Sequence, residues 1–101
     1  MSYQLIWQPN SEITYYEEID FIFRKWNNTE VQKFQDLVFE NLSRLAENPH
    51  IGKYDAVLKV HILVLSKQTT LYYSFNQINK VIDLHLFWNN SKNPSDLTKL
   101  L

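Results

Sequence analysis

Hydrophobic and polar positions alternate along Tyr3-Gln-Leu-Ile-Trp-Gln8, with Tyr3, Leu5 and Trp7 on one side. That period of two predicts a short strand ended by Pro9. The period then lengthens. Ile13, Tyr16, Ile19, Phe23 and Trp26 recur every three or four residues, a helical stripe that Asn10 or Ser11 is placed to cap, with Glu12 in the first turn. Asn27-Asn28 interrupts it. Thr29-Glu-Val-Gln32 has the form of a capping box, and Val31, Phe34, Leu37, Val38, Leu42 and Leu45 lie on one face of the helix it opens. Asn48-Pro49 predicts the stop, because the residue before a proline is pushed out of helical geometry. Two helices joined so closely must fold back as an antiparallel hairpin.

Three β-rich runs follow, at residues 57–66, 70–76 and 81–88, separated by gaps of hairpin length. They predict an antiparallel meander beneath the helix pair, with the N-terminal strand added at an edge. The expected architecture is one α+β domain of order β-α-α-β-β-β over residues 1–101. Alternation sorts the meander into two faces. Leu58, Val60, Ile62 and Val64, with Ile82, Leu84, Leu86 and Trp88, form the wholly apolar sets expected under the helices. The mixed sets predict an outer face holding Lys59, His61, Asp83 and His85, with Tyr72 and Ser74 between them.

Those residue types suit phosphodiester cleavage: a base for a 2′-hydroxyl proton, an acid for the leaving oxygen, a cation for the phosphate. Lys59, His61, Tyr72, Asp83 and His85 are the candidate catalytic set. The same spacing of two also arises on any solvated strand face, where Asp83 and His85 form a surface ion pair. Gly52 is the only glycine, which rules out a phosphate-cradling glycine loop; it is expected to serve a positive φ after the second helix. His50 has no companions at metal-ligand spacing, and no cofactor is implied.

Composition narrows the class further. Hydrophobic residues make up 45% and charged residues 21% of 101 positions, an ordinary foldable composition. Cysteine is absent, which excludes disulfide and thiolate chemistry and suits a reducing cytoplasm. The N-terminus has no basic segment followed by a long apolar one, and the longest apolar run is too short to span a membrane. The net charge of −1 argues against general nucleic-acid affinity. The charge is uneven, however: four bases stand against eight acids in residues 1–50, and six lysines against three aspartates thereafter. Aromatics at 15% exceed what so small a core easily hides, so a sticky surface, and a dimer or hetero-complex, is expected.

The order of strand, helical hairpin, "ENPHIG" at 47–52, meander and "FWNNSKNPSDL" at 87–97 resembles the RelE/ParE superfamily of toxins from type II toxin–antitoxin systems. The resemblance spans nearly the whole chain. "LSKQTTLYYSF" and "IDLHLFWNN" look most like the ParE-like branch of plasmid-stabilisation proteins. It implies a small toxin neutralised by a cognate antitoxin that wraps its helices and sheet. Ribosome-dependent members cut mRNA, and ParE-like members poison DNA gyrase. Lys59, and more loosely His61 and Lys92, match the basic positions of the nucleases. No arginine follows Arg44, and Ser91 stands where ParE-like relatives commonly carry arginine. Lysine beside it keeps charge but lacks the planar fork that grips phosphate bidentately. These departures favour a gyrase-type protein binder, or a toxin that has lost its activity, over a nuclease; a non-toxic small α+β binding module is the remaining alternative. Trp88, Asn90, Ser91, Lys92, Asn93 and Leu97 are then the expected rim for target or antitoxin. The tail from Asp96, with Leu97, Leu100 and Leu101, reads as a short amphipathic turn.

Overall fold

The structure, a computed structural model, describes residues 2–101. Strand β1 (Gln4–Trp7) leads into helices α1 (Pro9–Lys25) and α2 (Asn28–Glu47). Strands β2 (Lys53–Asp55), β3 (Val60–Val64), β4 (Thr69–Asn76) and β5 (Val81–Asn89) follow, with single 3₁₀ turns at Pro49–Ile51 and Pro94–Asp96. The five strands form one sheet ordered β1-β5-β4-β3-β2, antiparallel except where β1 runs parallel to β5. The predicted α+β architecture, with β1 at an edge, is the observed one. Strand β2 is an addition: three residues, two of them charged, carry no periodicity to read.

Helix α2 forms as its pattern predicts. Phe34, Val38, Leu42 and Leu45 are buried against the sheet, and Val31 and Leu37 pack beside them. Its cap is Asn27, not Thr29: the Asn27 carboxamide oxygen accepts the Glu30 amide at 3.0 Å. Helix α1 likewise begins earlier than expected, with Pro9 in its first turn and Gln8 at the cap position. Proline suits that place because a first-turn N–H has no helical acceptor.

The face of α1 is a correction. Its buried residues are Ser11, Thr14, Tyr15, Glu18 and Ile22, while Ile13, Tyr16, Phe23 and Trp26 of the predicted stripe are exposed; only Ile19 is packed against the core. The cause lies in β5. Strand β1 ends beside Leu84, so the far half of β5 has no neighbouring strand on that side. Helix α1 takes that place and supplies polar partners: Thr14 Oγ1 accepts the buried Phe87 amide at 2.9 Å. An unmet buried amide costs about 1–3 kcal/mol, enough to set the helix's rotation.

The strand faces need a second correction. On β3, Leu63 and Leu65 point to the helices, whereas Val60 and Ile62, with Leu58 before them, line the opposite face. On β5 the pairing slips by one residue: Tyr73 faces Leu84 and Tyr72 faces Leu86, leaving His85 as the extra residue of a bulge. A bulge breaks the two-residue alternation. Ile82 and Leu84 therefore lie under the helices as predicted, but beyond the bulge Phe87 does, and Leu86 and Trp88 turn outward. The main core holds Tyr15, Ile22, Val38, Leu45, Leu71, Tyr73, Leu84 and Phe87 among others. A second cluster of Val60, Tyr72, Leu86 and Trp88 covers the outer face and is closed by Leu97 from the tail.

Gly52 is the third correction. Its φ is −82°, so it serves no left-handed position. It is needed because a Cβ there would sit 2.5 Å from Tyr73 Oη. Tyr73 hydroxyl donates to the Pro49 carbonyl at 2.7 Å and accepts the Gly52 amide at 2.9 Å, which locks the 3₁₀ turn onto the sheet.

Candidate functional site

Strand β5 ends at Asn89, and the polar stretch after it is held rigidly. Glu18 is only 3% exposed and projects from the sheet-facing side of α1. Its carboxylate accepts Asn89 Nδ2 at 2.8 Å, Thr69 Oγ1 at 2.6 Å and Gln68 Nε2 at 3.4 Å. All three donors are neutral, so hydrogen bonds alone offset the desolvation of the charge. Asn89 passes the order outward, because its Oδ1 accepts both the amide of Ser91 at 2.9 Å and its hydroxyl at 2.5 Å. Asn90 is fixed from the other side: its amide donates to Gln68 O at 2.7 Å, its Nδ2 to Lys67 O at 3.0 Å, and Thr70 Oγ1 donates to its Oδ1 at 2.9 Å.

The outcome is a preformed rim beside a cavity of about 340 Å³, lined by Phe21, Lys25, Lys67, Gln68, Asn89, Asn90 and Ser91. Two ammonium groups, three carboxamides and an aromatic ring face one open space. Such a surface fits an anionic or hydrogen-bonding group on a partner. Of the residues expected at the rim, Asn90, Ser91, Lys92 and Asn93 are exposed. Trp88 and Leu97 are buried together in the outer cluster, so they anchor the rim from beneath. Lys92 Nζ lies 5.8 Å from the centre of the Trp88 ring, and Asn93 starts the last 3₁₀ turn by accepting the Ser95 amide. The tail continues to Leu100, whose carbonyl accepts Asn10 Nδ2 at 3.3 Å.

The candidate catalytic set is divided. Lys59 sits in the β2–β3 turn at φ 59°, exposed to solvent. His61 faces the helix side, stacked on Tyr73 at 5.4 Å and against Phe75 at 4.8 Å. Burial among these rings, and then the charge of His50, push its pKa below the usual imidazole value. Tyr72, Ser74, Asp83 and His85 do share the outer face. Ser74 Oγ is 2.7 Å from His85 Nε2, and Gln8 Nε2 donates to Asp83 Oδ1 at 2.9 Å. Asp83 therefore pairs with Gln8 where a contact with His85 was expected. Desolvation lowers the His85 pKa, opposed by Asp83. Tyr72 lies under the outer cluster, and burial followed by the charge of Asp55 raises its hydroxyl pKa. Among the described residues no cluster of three or more His, Asp or Glu is placed to hold a metal, and no helix is long and apolar enough to cross a membrane.

Glu18, Thr69, Gln68, Lys67, Lys25 and Phe21 escape a reading of the sequence. One signal was available: an acid three residues after Tyr15 and four before Ile22 sits on their face of the helix. No protein-family model matches the chain, and no curated protein matches it in sequence.

Proposed function

We propose that this chain is the toxin component of a type II toxin–antitoxin system, acting in the cytoplasm through protein contacts and neutralised by a cognate antitoxin. The observation that carries this reading is the rim at Asn90–Asn93. It is built rigidly by the Glu18 and Asn89 network, placed where the resemblance to ParE-like toxins puts the functional turn, and opens on a cavity flanked by Lys25 and Lys67. The order of a first strand, a helix pair and then the remaining strands of one sheet supports the same assignment. Exposed Tyr54, Val57 and Val64, on and beside strands β2 and β3, supply surface for an antitoxin. The target in this reading is a protein such as DNA gyrase.

The ribosome-dependent nuclease reading has less support. Lys59 sits in a turn and His61 on the helix side, away from Asp83 and His85 on the outer face, and Tyr72 is closed off by Trp88 and Leu97. What favours it is the Ser74–His85 contact alone.

The test is viable-cell count after the chain is induced alone in a bacterium without the antitoxin. A steep fall with filamentation is expected for gyrase poisoning. Growth arrest with cleaved mRNA would support the nuclease instead. No effect from soluble, folded protein would count against a working toxin. Ser91→Arg is the companion variant: the Ser91 amide bond to Asn89 survives the change, so gained killing would place the lesion at the rim.

A further inference from the structure

The exposed side of α1 and its neighbour α2 carry Ile13 (56% exposed), Tyr16 (66%), Phe23 (51%) and Phe39 (55%). Half-exposed side chains of this size present on the order of 500 Å² of apolar surface. The charges beside them are ordered. At 100° per residue, Glu17 and Arg24 lie on the same flank of the apolar stripe, about 10 Å apart along the helix axis. Asp20 sits between them on the outermost line, paired with its own Arg24 at 3.1 Å. The acidic end of the helix thus precedes its basic end along one flank.

We propose that this face is a self-complementary docking surface for a second copy of the chain, with the two α1 helices antiparallel across a two-fold axis near Asp20. A two-fold contact uses the same patch on both copies, so each pairing occurs twice. Glu17 meets Arg24 of the second copy, and Arg24 meets its Glu17. Tyr16 of each copy packs on Phe23 of the other, and Ile13 and Phe39 flank them. The two Asp20 carboxylates approach one another at the axis, where each is held by its own Arg24, so the Arg24 guanidinium bridges Asp20 and the second copy's Glu17. The paired surface totals on the order of 1,000 Å², the lower bound for a specific interface. The dimer is therefore a weak one, forming in the micromolar range. It needs only the chain's own surface and stands independently of the toxin reading.

The test is sedimentation of the full chain across the micromolar range. The mass should rise from 12.2 kDa toward that of a dimer. Glu17→Lys and Arg24→Glu should each weaken association by tenfold or more, and the two together should restore it to near the original. Both side chains are solvent-exposed, so the fold should tolerate each change, and circular dichroism checks that it does. A second readout uses the absence of cysteine. Asp20→Cys lies near the axis and should form an interchain disulfide on mild oxidation, whereas Ile78→Cys, on a remote turn, should not. A chain that stays monomeric throughout, a double reversal that fails to restore association, or equal cross-linking at both positions would overturn the proposal.

Discussion

Gly52→Ala should be among the most damaging single-methyl additions to this protein. The new Cβ would lie 2.5 Å from Tyr73 Oη, 2.8 Å from Tyr73 Cε1 and 2.9 Å from the Ile62 carbonyl oxygen. Two of these neighbours belong to a fully buried ring and the third to a strand backbone, so none can swing aside cheaply. Overpacking of this kind costs about 1–3 kcal/mol. Displacing Tyr73 also breaks its bonds to Pro49 O and Gly52 N, about 1 kcal/mol each. Backbone strain adds nothing at φ −82°, and a stiffer unfolded chain returns up to about 1 kcal/mol. The net expectation is a loss of roughly 2–4 kcal/mol, which for a domain of this length lowers Tm by roughly 10–25 °C. Thermal and urea unfolding followed by tryptophan fluorescence measures it. Tyr73→Phe supplies the internal check, since deleting the hydroxyl removes the nearest clash. The double variant should be more stable than the two single losses predict by about 1 kcal/mol or more. A Gly52→Ala protein within about 4 °C of the parent, or strictly additive losses, would refute the close-approach account.

Three further outcomes are expected. Glu18→Gln turns one acceptor oxygen into a donor facing either the Asn89 carboxamide or the Thr69 and Gln68 donors, and should cost about 2 kcal/mol in urea unfolding while loosening the rim, seen as faster amide exchange at Asn90 and Ser91. Leu97→Ala uncovers the outer cluster, so a loss of about 2 kcal/mol and a red-shifted Trp88 emission should appear together; an unshifted spectrum would mean that the tail does not shield Trp88. The pKa values of His61 and His85 are both lowered by burial, so the folded state binds fewer protons than the unfolded state. Their stabilising effect is complete above the ordinary imidazole value near 6.5 and is lost as pH falls through that value toward the depressed ones. Tm should therefore be lower at pH 5.5 than at 7.5, with the dependence reduced in His61→Phe.

The strands and helices were readable where periodicity and burial agree, as in α2. They were misread where the polar groups of a sheet edge took precedence. On α1 an apolar stripe was available, yet Thr14 and Glu18 face inward because Phe87 N–H has no strand to meet and the Asn89 side-chain carboxamide needs an acceptor. Hydropathy counts cannot register that demand. On β3 both alternating sets are apolar enough to be core, and on β5 the single extra residue at His85 reverses every side chain after it. Of the candidate catalytic set, the facing error on β3 misplaced His61, while Tyr72, Asp83 and His85 lie on the outer face as expected. The rim was legible as a position, through Asn90 to Asn93, but its support was not. Glu18 and Asn89 are 71 residues apart, and only the fold brings them together.

The parallel pairing of β1 with β5 joins Gln4 to Val81 and Trp7 to Leu84. Strand β1 therefore has no partner until β5, about 75 residues further along, is complete. Until then Tyr3, Leu5 and Trp7, with the buried face of α1, have no finished sheet to pack on. Contacts this distant along the chain make assembly late and cooperative. The finished surface therefore forms in one late step, when β5 pairs with β1.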